Sequence, residues 1–283
     1  MGLIAAENWA APGRINRWRC AWQKGYGTEV TTRQILGRPV LFVEYRGVDG
    51  LSPRQLAFRK QGLRQILSQN GVDKVTFSTF GDVLEGTGPS RMESTYLHLY
   101  LAGDVGAHVA EKTGATAVCF FQRVGTLEER AILKLAENFR YLMITSQKDE
   151  DAVCHALRRR YGLPVVEHPT ASQVRQADFA LVLGAAPQTM TLGEQCLTFA
   201  PDKRFAGEIP GGRAITDLSL ALPLNVAAEL PDGFAPNPIL SEMARLGHFR
   251  PSKIKISGLS IDNTKENEYN TLEHINNSKI PLP

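Results

Sequence analysis

Short apolar runs alternate with capped helical segments along this chain, and that alternation restricts it to a layered α/β fold. Val40-Leu41-Phe42-Val43 follows Pro39 as a continuous apolar run, the pattern of a strand buried on both faces. Ser52-Pro53-Arg54-Gln55 then supplies an N-cap hydroxyl, a proline at the first helical position and a glutamine at the third, which is a capping box. Leu56, Leu63, Ile66 and Leu67 continue it as a helical stripe, Asn70-Gly71 ends it, and Lys74–Ser78 reads as the next strand. Two strands joined by a helix of this length run parallel.

The pattern recurs downstream. Ala117–Phe121, Tyr141–Ile144, Val165-Val166, Phe179–Leu183 and Leu197–Phe199 read as strands. Between them, Thr126 with Glu129 is expected to cap a helix reaching about Asn138. Residues 148–161 carry acids in the first turn, Arg158-Arg159-Arg160 in the last, and Gly162 as the stop. Ser90 with Glu93 forms another capping box, predicted to open a long helix that Gly114 closes. Asn237-Pro238 starts a final helix and Gly247 ends it.

These signals predict an α/β protein with mostly parallel, Rossmann-like sheets and helices on both faces. The expected organisation is an N-terminal helical or irregular segment over 1–36, a small α/β lobe over 37–91 and a connecting helix over 92–114. A larger Rossmann-like lobe follows over 115–250, then a polar tail over 251–283. Arginine and alanine, frequent up to position 250, are absent from 251–283, which predicts a disordered extension. Its alternative is an edge strand built on Ile254, Ile256 and Leu259.

Composition removes several function classes. The net charge of +3 over 283 residues argues against nucleic acid as the partner, and no apolar run approaches the roughly 18 residues of a membrane helix. Four dispersed cysteines without a CxxC pair fit free thiols in a reducing cytoplasm, the expected location. The six histidines show no zinc-ligand spacing. No nucleophile elbow or Walker loop is present.

Ligands of parallel sheets sit beyond the carboxyl ends of the strands, which directs attention to the loops there. Gly86-Thr87-Gly88-Pro89-Ser90-Arg91 combines flexible backbone, an expected helix start, a hydroxyl and a guanidinium, a set suited to an anion. Gln122-Arg123-Val124-Gly125-Thr126 follows a strand and opens a helix, the place of a dinucleotide fingerprint, but it has one glycine where the fingerprint has three. Gly86, Gly88, Ser90, Arg91, Arg123, Gly125 and Thr126 are therefore the candidate ligand residues. The reading is a protein that binds a small anionic metabolite or a protein partner, with no recognisable catalytic centre and no required cofactor.

Two alternatives remain beside it. An NADP-dependent oxidoreductase with a degenerate glycine loop would use Ser146 and Lys148 against the 2′-phosphate, because the strand end about 20 residues after Gly125 lacks an acid. A structural or assembly protein would use Trp9, Trp18 and Trp22 among Arg14, Arg17 and Arg19, a segment suited to homo-oligomer contacts. Gly207–Arg213, with its Gly-Gly pair, resembles a mobile loop that could close over a crevice, although a plain surface connection is the commoner reading of such a segment.

Overall fold

In the computed structural model, residues 1–7, 22, 27–46, 51–78, 84–86, 88–113, 116–121, 124–146, 154–155, 157–159, 162, 165–185, 190–262 and 270–271 are described. In chain order the elements are β1 Gly2–Glu7, β2 Thr28–Ile35, β3 Arg38–Arg46, α1 Pro53–Gln69, β4 Lys74–Phe77, β5 Ser90–Arg91 and α2 Thr95–Thr113. Then come β6 Thr116–Phe121, α3 Thr126–Asn138, β7 Tyr141–Ser146, β8 Val165–Glu167, α4 Ala171–Arg175, β9 Phe179–Leu183, β10 Leu197–Phe199 and β11 Arg213–Ala221. The last are α5 Leu224–Ala227, α6 Pro236–Arg245, β12 Lys255–Ile261 and β13 Asn270–Thr271.

The chain forms two compact units, one of Met1–Ser94 with Pro223–Arg250, the other of Thr95–Leu222 with Pro251–Pro283. Two of the expected boundaries change as a result. The helix read as a connector belongs to the second unit as α2, and the segment holding α6 returns to the first unit although sequence order places it with the larger lobe.

The first unit is a five-stranded sheet in the order β2-β3-β1-β4-β5, parallel except for the antiparallel β2. The expected helical or irregular N-terminus is thus corrected: residues 2–7 are the middle strand, pairing with β3 on one side and β4 on the other. Leu3 and Ile4 are both fully buried and point to opposite faces. Ile4 packs with Leu63 and Leu67 of α1. Leu3 packs with Ile239 and Met243 of α6. A strand covered on both faces shows no alternation, and two large apolar residues at the start of a chain are too short a run to read as one. Ser52 caps α1 through the predicted box, with the Ser52 and Gln55 groups bonded reciprocally.

The second unit carries an eight-stranded sheet in the order β13-β12-β11-β10-β9-β6-β7-β8. Strands β6 to β11 all run parallel. Counted from β6, their spatial order is 3-2-1-4-5-6, the doubly wound Rossmann arrangement. The predicted fold class therefore holds. One face packs Val118, Phe120, Met143 and Val182 against Val174 of α4 and the loop residues Leu192 and Ile209. On the other, Phe179 stacks on Phe139 at 5.8 Å. A side-chain carbon at Gly106 of α2 would strike Leu135 of α3, so the two helices approach closely there.

Within the expected disordered extension, residues 255–261 form β12, antiparallel to β11, with Leu259 and Ile261 buried. β12 lies between β11 and β13, and its buried positions do not alternate, so no strand period stood out from the polar composition. Within the predicted helix 148–161, residues 154–155 and 157–159 are helical and the rest lie outside the described residues. No helix among the described residues is long and apolar enough to cross a membrane.

Candidate functional site

The strand order reverses between β6 and β9, and a ligand crevice in such sheets lies beyond the carboxyl ends of the strands at that reversal. β6 delivers the chain there at Phe121, β9 at Leu183, and α3 starts from the β6 side. Gln122, Arg123 and Lys148 lie outside the described residues, as does the side chain of Ser146 at the end of β7. Gly125 and Thr126 are both exposed at the start of α3.

The capping arrangement differs by one residue from the expected Thr126–Glu129 pair. Gly125 is the N-cap, and its N–H donates to Glu128 Oε2 over 3.1 Å. A side-chain carbon at position 125 would come within 2.8 Å of that same oxygen, so glycine is what lets the carboxylate settle there. Glu128 and Glu129 also place two acids in the first turn, where the helix dipole favours negative charge. The amide that would face a ligand's phosphate or carboxylate already holds a carboxylate from its own helix. A pyrophosphate entering here meets this competition, and this constraint on the dinucleotide alternative was not visible in the glycine count.

The other candidate loop lies elsewhere. Ser90 and Arg91 form β5, paired with Lys74 and Val75 at the amino end of β4, and Ser90 Oγ donates to the Asp73 carbonyl over 3.3 Å. The expected Ser90–Glu93 helix start is therefore corrected, since α2 begins at Thr95. The residues before it prefer backbone pairing with β4, and the loop loses both its helix amides and its place at the carboxyl edge. Its basic character is nonetheless reinforced. Arg91 pairs with Glu85 at 2.8 Å, Lys60 Nζ donates to the Glu85 carbonyl over 2.6 Å, and Arg64 donates to the Gly86 carbonyl over 3.3 Å. Gly88 lies against the Arg64 stem. Lys60 and Arg64 come from α1, more than 20 residues earlier in the chain, so no local motif announced them.

His98 entered the sequence reading only as one of six histidines without zinc-ligand spacing. It lies in the first turn of α2, with its side chain 6% exposed and its ring 5.8 Å from that of Phe199, the last residue of β10. Its Nε2 has no hydrogen-bond partner and lies 3.9 Å from Asp217 Oδ1, too far for a direct bond. Burial is the main cause that lowers its pKa to about 4; Asp217 opposes this, and Lys203 adds to it. The imidazole is neutral at physiological pH. No spacing rule finds such a residue, because its surroundings come from β10, β11 and a turn more than 100 positions away.

Neither Cys119 nor Cys196 is an activated thiol. Among the described residues, Cys119, Cys154 and Cys196 are buried and form no disulfide. Burial pushes the Cys119 thiol up, and that of Cys196 up to about 12. Gly207–Arg213 is an anchored connection, the commoner of its two readings, and not a loose loop. Ile209 is buried in the core, Leu192 N–H donates to the Pro210 carbonyl over 2.9 Å, and Arg213 N–H donates to the Cys196 carbonyl over 2.8 Å. Of the tryptophans offered for assembly, Trp22 is exposed and faces Phe58 at 6.4 Å; Trp9 and Trp18 lie outside the described residues.

No family model matches this chain, and no curated protein does. Among solved structures, it resembles a probable ornithine cyclodeaminase from Bordetella pertussis at 17% identity and TM-score 0.27, covering 36% of this chain and 35% of that one. A Δ1-pyrroline-2-carboxylate reductase from Thermococcus litoralis matches at 14% identity and TM-score 0.28, over 41% of this chain and 40% of that one. This chain thus spans well under half the length of either. A D-lactate dehydrogenase from Lactobacillus jensenii matches over 82% of this chain and 85% of its own, at 9% identity and TM-score 0.27. Superpositions this loose carry no functional argument, and the Rossmann assignment stands on the strand order itself.

Proposed function

We propose that the second unit binds a small anionic metabolite, bearing a carboxylate or phosphate, at the β6–β9 reversal. Arg123, Gly125 and Thr126 would hold it. The observation that carries this reading is the Glu128 carboxylate on the Gly125 amide: the start of α3 is shaped to accept an anionic oxygen, and its own side chain fills that place. A ligand enters by displacing Glu128, whose released carboxylate turns to solvent. Gly86, Gly88, Ser90 and Arg91, reinforced by Lys60 and Arg64, are the competing location within the first unit.

Thermal melts in millimolar inorganic phosphate, a panel of small mono- and dicarboxylates, and NADP(H) test this proposal. An anion that binds only the folded chain raises Tm by mass action. At least one carboxylate or phosphate is expected to do so, with Arg123→Ala abolishing the shift and Arg91→Ala leaving it intact. Glu128→Gln is expected to tighten binding about two- to fivefold, since it removes a competing charge worth about 0.3–1 kcal/mol at a helix start. Stabilisation that survives Arg123→Ala but disappears in Arg91→Ala moves the site to the first unit. No shift with any anion ends the proposal.

A further inference from the structure

β2 is an eight-residue strand at the edge of the first unit's sheet, with no neighbour on its outer side among the described residues. Glu29 to Gln34 are exposed on both faces of the strand, and only Ile35 at its end enters the core. Long edges of this kind invite pairing, and proteins commonly block them with charges, prolines or bulges. β2 has no proline and pairs with β3 in unbroken register. Its two charges, Glu29 and Arg33, are opposite in sign and lie two positions either side of Thr31.

The hairpin fixes which backbone groups face outward. Ile35 and Arg38 flank a two-residue turn at Leu36-Gly37, both with positive φ. The Arg46 N–H donates to the Gly27 carbonyl over 2.9 Å, toward β2, whereas the Leu41 N–H donates to the Met1 carbonyl over 3.2 Å, away from it. In an antiparallel pair such groups alternate, so Gly27, Glu29, Thr31, Arg33 and Ile35 bond to β3. Thr28, Val30, Thr32 and Gln34 direct their N–H and C=O groups to the open side.

We propose that this edge pairs with β2 of a second copy of the chain, antiparallel about a two-fold axis through Thr31. Under that symmetry Val30 exchanges backbone hydrogen bonds with Thr32 of the other copy, and Thr28 with Gln34. Glu29 then stands opposite Arg33 of the other copy, twice, at non-hydrogen-bonded positions where facing side chains are closest. Two like charges in these places would forbid the contact; this pair favours it. Shifting the register by two residues shortens the ladder and breaks both charge pairs. The contact joins two sheets end to end without a second packed layer. Its area falls among transient interfaces, and the association is concentration-dependent.

Light scattering over a concentration series of the full chain is the test. The wild-type mass is expected to rise towards that of a dimer. Glu29→Arg and Arg33→Glu should each weaken association by more than about tenfold, because each turns two attractive pairs into repulsive ones. Equimolar mixing of these two variants should restore it, since all four facing residues are then complementary. Both side chains are exposed, and an unchanged far-UV circular dichroism spectrum verifies the fold. A wild type that stays monomeric throughout overturns the proposal. So does a dimer indifferent to either reversal, or a mixture that fails to recover.

Discussion

Replacing Gly211 by alanine is expected to cost more than about 3 kcal/mol of folding stability, although the residue lies in a surface connection with no apparent chemistry. Gly211 has a φ of +87°, a conformation that costs an L-residue about 1–2 kcal/mol. An added side-chain carbon there would also overlap the Leu192 carbonyl oxygen. That carbonyl cannot withdraw freely, since Leu192 is itself buried and its N–H is bonded to Pro210. Gly207 provides the control: its φ is +82°, but an added carbon meets nothing within 4 Å. Gly207→Ala should therefore show only the backbone strain, about 1–2 kcal/mol. Urea unfolding of the two variants separates close approach from torsional strain. Equal midpoints would mean that the turn gives way and the argument fails. Gly212, with φ +76°, is pressed in the same way, 2.6 Å from Thr198 Oγ1 and 2.9 Å from the Cys196 carbonyl oxygen as measured to the added carbon. The Gly-Gly pair marks tight packing where the sequence suggested mobility.

Acidification from pH 7 to pH 4 is expected to remove up to about 3 kcal/mol through His98 alone. Its pKa is about 4 in the folded chain against an ordinary 6.5. Between these values the unfolded chain holds a proton that the folded chain refuses, so stability falls as pH drops below 6.5 and the loss is complete near 4. His108, also lowered mainly by burial, acts in the same direction. The carboxyls held down by neighbouring arginines, Asp202 by Arg204 and Glu242 by Arg245, lose their contribution only below their ordinary values of 3.8 and 4.5. Among the described residues, the decline above pH 4.5 thus belongs mainly to histidine. His98→Leu should flatten it in a series of urea unfolding curves at stepped pH. Asp217→Asn should deepen it, because Asp217 raises the His98 pKa and its removal lets burial act unopposed. Parallel pH profiles for wild type and His98→Leu would refute the assignment.

Most strands of the second unit were legible because each is a short apolar run buried on both faces, as in Ala117–Phe121 and Phe179–Leu183. α1 was legible at its start because Ser52 and Gln55 meet within one turn. β11 went unread. Its sequence Arg-Ala-Ile-Thr-Asp-Leu-Ser-Leu-Ala mixes exposed and buried positions irregularly, and its register against β12 shifts twice. Ser90 failed as a cap although its local pattern was sound: β4 offered its backbone a better partner, and local capping lost to sheet pairing.

The sequence alone determined the α/β class, the parallel sense of the main strands and, to within one residue, the place where α3 starts. These rest on contacts between residues a few positions apart, where hydrophobic period and capping groups act directly. Only the tertiary structure decided that residues 2–7 run through the centre of a sheet, that Lys60 and Arg64 join Arg91, and that His98 is buried beside Asp217. Each of those depends on which distant segments win the competition to cover the same apolar surface. The free energy of that competition belongs to the whole packed chain and is written in no single stretch of it.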